Sequence, residues 1–298
     1  MNETRTARLA TVVLLAMTAM WGSTFFLIKD LSERISALDF LAVRFPIATV
    51  ALLLIFPKAL GRLSAQSRRQ AVVLGVLYAG AQVLQTVGLA HTAASVSGFI
   101  TGLYVVCTPL LAAVLLRTRI GKLTWVAVAM AIGGIALLTL QPGGLAFGYG
   151  EGITLIAALI YALHIVGLGA WSNADEAMGM AIVQLAVISV VCFLGAVPNG
   201  ITLPDNGRDW LSIVYMALGA GAFAMAGQTW AQAHLPPTRS AIIMSMEPVF
   251  AAVFAVLAGG EHLTARLLSG GLLVFAAMLV VELMPRRKIE AEVTHIAV

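Results

Sequence analysis

The sequence predicts an all-α polytopic membrane protein, with ten transmembrane helices as two inverted five-helix repeats around a central cavity. Three observations predict it. Hydrophobic residues make up 60% of the chain and charged residues 11%, with a mean hydropathy of +0.96, far from the balance of a water-soluble domain. Apolar windows of roughly 20 residues, enough to cross about 30 Å of hydrocarbon as helix, recur ten times. Finally, QTVGLAH at 85–91 returns as QTWAQAH at 228–234, and PLLAAV at 109–114 returns as PVFAAV at 248–253. Each copy holds an odd number of windows, so the second must lie upside down relative to the first. The chain divides into a first repeat over 1–145 and a second over 146–298.

The first window, 9–28, follows Arg5 and Arg8 as a leader peptide would. Its length, the lack of a small-x-small cleavage site before Lys29 and the windows after it make it a retained span. It carries Trp21 and Phe25 four apart near its middle, away from the interface where membrane tryptophans usually sit. The second, 38–56, holds Arg44, placed to bind a carboxylate or to anchor on Asp39 or headgroups. The third, 71–90, shows Tyr78, Gln82 and Gln85 on one helical face. The fourth, 94–116, spaces Ser97, Thr101, Tyr104 and Thr108 by 4, 3 and 4, just before Pro109, with Gly98 and Gly102 as a packing pair. The fifth, 123–140, closes the first repeat.

In the second repeat, the sixth window, 152–168, brings Tyr161 and His164 onto one face, and the seventh, 178–198, contains Cys192. Cys107 and Cys192 both fall inside spans and are expected to be free thiols. The eighth window, 210–228, ends on Gln228. The ninth, 240–257, repeats the polar spacing at Ser240, Met244 and Glu247, with Glu247 directly before Pro248, and the tenth is 265–283. The Gln blocks are offset by 143 and the Pro blocks by 139, which places a four-residue length change between His234 and Ser240 and superposes Thr108 on Glu247. Pro109 and Pro248 each remove a backbone donor and are expected to bend their helices.

Short loops let Lys and Arg set orientation. With the N-terminus inside, the cytoplasmic face collects Arg5, Arg8, Lys58, Arg62, Arg68, Arg69, Arg117, Arg119, Lys122, Arg239, Arg286, Arg287 and Lys288, against Lys29, Arg34, Arg208 and Arg266 outside. Both termini are therefore expected in the cytoplasm. The net charge of +4 then reflects topology and lipid headgroups rather than nucleic acid. Asp175 and Glu176 on the basic side are tolerable, since acids contribute little to orientation.

Polar stripes in several spans suggest helices enclosing a substrate-filled cavity. Each stripe could instead bond its own backbone or glue helices together. Ionisable groups within spans are costlier and more telling. Glu247 could accept an ammonium, carry a proton or cap backbone groups freed by Pro248, and His164 could relay protons or simply pack. His91 and His234 are repeat mates, but inversion puts them on opposite membrane faces, so they cannot share a metal. No metal, cofactor or catalytic constellation is expected.

AMWGSTFFLIK (19–29), FLAVRFPIATVALLL (40–54), GLAHTAASVSGFITGLYVVCTPLLAAVLL and SAIIMSMEPVFAAVFAVLAGGEHLT resemble the repeated segments of EamA-type proteins of the drug/metabolite transporter superfamily over nearly the whole chain. The resemblance implies ten helices in two inverted repeats, a central cavity and export of small metabolites across the bacterial inner membrane. It is greatest to the aromatic amino acid exporter branch. It implies an inner-face role for Trp21 and Gly22, and puts Arg44 at the family's Arg-Phe position and Glu247–Pro248 at its Glu-Pro position. The first repeat departs from that last pattern with Thr108 before Pro109.

The expected function is alternating-access export of amino acids or similar zwitterions. Gln82, Gln85, Thr108 and Gln228 would hold the zwitterionic end, and Trp21, Phe25, Tyr78 and Met244 the side chain, with Tyr104, Tyr161, His164 and Glu247 completing the site. Membrane lipids, the substrate and protons are the expected partners. A cationic-drug exporter is the alternative, kept open by Glu247. A phosphate-ester exchanger would need several buried cations, and a membrane enzyme or a non-transporting scaffold gives no account of the polar stripes.

Overall fold

A computed structural model of the chain describes residues 3–115, 121–141, 144–171, 175–232 and 243–283. The helices in order are α1 (Glu3–Leu31), α2 (Ala37–Ile55), α3 (Ala65–Ala90), α4 (Ala94–Gly102), α5 (Tyr104–Leu115), α6 (Lys122–Thr139), α7 (Tyr149–Trp171), α8 (Ala177–Ala196), α9 (Gly207–Val214), a π-helical stretch Tyr215–Phe223, α10 (Ala224–Gln232), α11 (Glu247–Leu257) and α12 (Ala265–Glu282). Among the described residues, nine stretches are long and apolar enough to cross a membrane. The shorter apolar α11 lies in the ninth expected span, and residues 233–242 before it are not described. His234, Ser240, the length change expected between them, and the basic residues Arg117, Arg119, Arg239, Arg286, Arg287 and Lys288 lie outside the described residues.

Local chemistry sets the helix starts. Ser36, Ser64, Asn206 and Thr264 each accept a backbone N–H three residues on, from Asp39 (3.2 Å), Ser67 (3.1 Å), Asp209 (2.9 Å) and Leu267 (3.1 Å), satisfying a donor the first turn leaves open. One departure from an all-helical chain is a short antiparallel pair, Leu140–Gln141 with Gly144–Leu145, between α6 and α7. It lets the chain reverse tightly between two spans.

The most extensive pairings join α6 to α12, α3 to α7, α2 to α8, α3 to α8 and α1 to α11. Glycine makes two of these crossings close. A Cβ at Gly88 or Gly150 would come within 2.9 Å of the other's carbonyl oxygen, and Gly134 and Gly270 oppose each other in the same way at 2.9 and 2.8 Å. Small residues at such contacts let the backbones approach when lipid gives helices no hydrophobic reason to associate. Gly98 and Gly102 do pack, against Ala251 and Met278. The inner faces bury Phe40, Phe45, Leu52, Ile182, Ile188 and Met216. Large apolar side chains such as Val50, Leu54, Val76, Ile132, Leu194 and Leu272 point outward, as lipid-facing surfaces require.

The fourth span breaks at Leu103, and α5 continues as helix through Pro109. The polar stripe from Ser97 to Thr108 is therefore divided between two helices. Pro248 occupies the opening turn of α11, where its missing N–H costs nothing because that donor has no partner there. Tyr104 and Glu247, 143 positions apart, are the first residues of α5 and α11.

The helix ends are tied. At one end Arg34 donates to both carboxylate oxygens of Asp209, at 2.8 and 2.9 Å, and to Asp30 at 2.6 Å. Lys29 Nζ donates to the Ala90 carbonyl at 2.8 Å, Thr92 donates to Glu151, and Glu261 accepts from both the backbone N–H and the hydroxyl of Ser95. At the opposite end Glu176 accepts from Ser64 N and Ser67 Oγ, both at 2.6 Å. That gives the acidic residue on the basic side a structural use.

Candidate functional site

The face of α3 carrying Tyr78, Gln82 and Gln85 turns inward toward α7, because Gly88 and Gly150 draw these two helices together. Gln85 uses both ends of its amide. Its oxygen accepts from Tyr161 on α7 at 2.8 Å, and its nitrogen donates to Thr101 on α4 at 3.2 Å. One residue thus ties three helices. Gln82 Nε2 donates to the Tyr78 hydroxyl at 3.0 Å.

The Tyr78 ring lies against Tyr161, His164 and Phe45, with centroids 6.1, 5.4 and 6.1 Å away. His164 meets Gln184 of α8 at 2.6 Å, through Nε2 and Oε1. Gln184 donates its own amide to the Met180 carbonyl, so its oxygen must accept and His164 Nε2 carries the hydrogen. The result is a polar and aromatic seam running from α8 through α7 and α3 to α4.

Arg44 borders this seam from α2. Its guanidinium carbon sits 5.6 Å from the Phe40 ring centroid and 5.2 Å from that of Phe45, and the residue is 5% exposed. Its Nε has no hydrogen-bond partner among the described residues. The Asp39 anchor, one of the uses the sequence left open for Arg44, is absent from its ion pairs among the described residues. Cation–π contacts contribute roughly 0.5–2 kcal/mol apiece, less than the several kcal/mol that removing an ion from water costs. Tyr78 and Tyr161 lie within electrostatic reach of both Arg44 and Glu247.

The remaining predicted residues gather nearby or elsewhere. Tyr104 reaches Glu247 Oε2 at 3.4 Å, joining α5 to α11. The Thr108 hydroxyl donates to the Tyr104 carbonyl, the local backbone use weighed for it above. Gln228 approaches Met244 Sδ at 3.7 Å, the counterpart in spacing of Gln85 with Thr101. Trp21 Nε1 donates to the Ala220 carbonyl at 2.9 Å. That carbonyl belongs to the π-helical stretch, whose wide turns leave backbone groups open to side chains. Phe25 is buried in the main apolar core.

Arg44 was singled out in the sequence without being placed in the site, and Gln184 was missed. A Gln within an otherwise apolar span was the available signal for the second. Two cavities of about 410 Å³ lie away from the seam, at the helix ends, one bounded by Lys29, His91, Glu151 and Arg266 and one beside Arg5 and Arg8.

A profile of the EamA-like transporter family matches this chain twice, over residues 8–140 and 148–283. An uncharacterized transporter of Archaeoglobus fulgidus is 28% identical over 270 residues, covering 90% of this chain and 84% of its own length. The uncharacterized inner membrane transporter YedA of Escherichia coli K12 is 26% identical over 277 residues, covering 90% and 89%. A solved crystal structure aligns at 18% identity with a TM-score of 0.63, covering 91% of this chain and 95% of that one; it supports the fold.

Proposed function

The chain belongs to the EamA-like transporter family, and on that premise we propose that it is an alternating-access secondary transporter. Its cargo would be amino acids, aromatic ones among them, or similar small zwitterions exported across a bacterial inner membrane. The observation that carries this reading is the Tyr161–Gln85–Thr101 chain of hydrogen bonds. It places uncharged donors and acceptors beside a cluster of aromatic rings in the middle of apolar spans. Polar groups are costly there unless they serve a partner, and the combination suits a substrate with a compact polar end and a bulky uncharged body.

The two profile matches and the odd number of spans in each half support two inverted repeats, 1–145 and 146–298. Rocking of one repeat against the other would open the seam to alternate sides. The bonds that tie Lys29, Thr92 and Ser95 to neighbouring elements support closure at that end. Cytoplasmic termini follow from the excess of Lys and Arg on the other side. A cation exporter is the second reading, favoured by the Glu247 carboxylate beside Tyr104.

Uptake of labelled Phe, Trp, Thr, Lys and Glu into liposomes containing the purified protein tests the proposal. Saturable uptake competed by unlabelled amino acid is expected. No uptake above empty liposomes for any of them refutes the amino acid reading and moves cationic drugs forward. If Gln82→Ala with Gln228→Ala leaves transport untouched, the site assignment is wrong.

A further inference from the structure

We infer that Arg44 and Tyr78 form an anion subsite of the seam that receives the carboxylate of the transported molecule, so that cargo is selected for a carboxylate and not only for its side chain. The Phe40 and Phe45 rings lie against the Arg44 guanidinium. Its Nε is buried without a partner, and no carboxylate lies within ion-pair distance among the described residues. Buried guanidinium groups are ordinarily paired, and this one faces an aromatic cluster instead of an acid.

Tyr78 supplies the second donor. Its oxygen accepts from Gln82 Nε2, which leaves its own hydrogen without an acceptor among the described residues. Reversing the Gln82 amide would pass the spare donor to Gln82 and leave one present. Tyr78 and Arg44 lie within electrostatic reach of each other, so a planar fork and a hydroxyl or amide hydrogen are both left to an arriving acceptor. A carboxylate matches that pair, since guanidinium binds it through two parallel bonds. Glu247, also within reach of Tyr78, would meet the cationic part of the cargo.

The inference rests on the transport reading above, and the test separates the two. Competition against labelled Phe uptake in liposomes would use 3-phenylpropionate, which keeps the carboxylate, and phenethylamine, which lacks it. Melting temperatures of the detergent-purified protein would be measured with each compound. For the wild type, 3-phenylpropionate is expected to compete at least about tenfold better than phenethylamine. Arg44→Gln is expected to lose on the order of a hundredfold in half-maximal concentration for Phe and 3-phenylpropionate and to leave phenethylamine unchanged, with Arg44→Lys intermediate. Tyr78→Phe, which keeps the ring packing, is expected to show a smaller loss in the same direction and serves if Arg44→Gln does not fold.

If Phe is carried but the two analogues compete equally in the wild type, the subsite is overturned while the transport reading stands. If no amino acid is carried, yet 3-phenylpropionate raises the melting temperature of the wild type and not of the variants, the subsite stands and the amino acid reading falls. Absence of both effects overturns the subsite.

Discussion

Tyr104 and Glu247 meet phenol to carboxylate at 3.4 Å, and they stand 143 positions apart, the offset that also separates Gln85 from Gln228. Each opens a helix after a break in its span. The pair brings a phenol from one half of the chain against an acid from the other.

Glu247→Gln keeps an acceptor for Tyr104 and removes the charge. Uptake of Phe is expected to fall by about tenfold or more, with the melting temperature within a few degrees of wild type. A large drop in melting temperature with uptake per folded molecule unchanged would assign Glu247 to holding the helix start beside Pro248.

Gln85→Ala strips Tyr161 and Thr101 of their shared partner. The expected cost is about 1–2 kcal/mol of stability, together with loss of most transport. Thermal unfolding in detergent and uptake into liposomes, measured on the same preparation, check both parts.

Gly150→Leu drives a side chain into the Gly88 carbonyl and the backbone of His91. Overpacking a tight crossing costs about 1–3 kcal/mol, and here the obstacle is backbone, which cannot swing aside. The expected result is a lower yield of folded protein. Leucine at Gly80, which has open space around it, is the control and is expected to fold normally.

Orientation is checked by cysteine labelling. Arg69 and Asp205 are exposed at opposite helix ends, and Cys107 and Cys192 sit inside spans. With a membrane-impermeant maleimide applied to intact cells, Asp205→Cys is expected to label and Arg69→Cys to label only after lysis.

The spans were legible because crossing hydrocarbon demands a long apolar run, and that demand is written residue by residue. The face of α3 was legible for a similar reason, since Tyr78, Gln82 and Gln85 keep helical spacing without interruption. What spacing could not reveal was the break at Leu103. It follows Gly102, which packs against Met278 of α12, a contact far away in sequence, and so the stripe from Ser97 to Thr108 read as one face. Trp21 was read as a pocket wall because its ring lies in mid-span; that its nitrogen holds the Ala220 carbonyl depends on a π-helical stretch that composition does not announce. Arg44 could be seen, but its lack of an acidic partner among the described residues shows only in three dimensions.

Counterflow tests the central claim most directly. Liposomes containing the purified protein are loaded with excess unlabelled Phe and diluted into buffer with trace labelled Phe. An alternating-access carrier predicts transient accumulation of label inside to well above the outside concentration, abolished by Gln85→Ala. Equilibration without overshoot, or entry no faster than into empty liposomes, would contradict it.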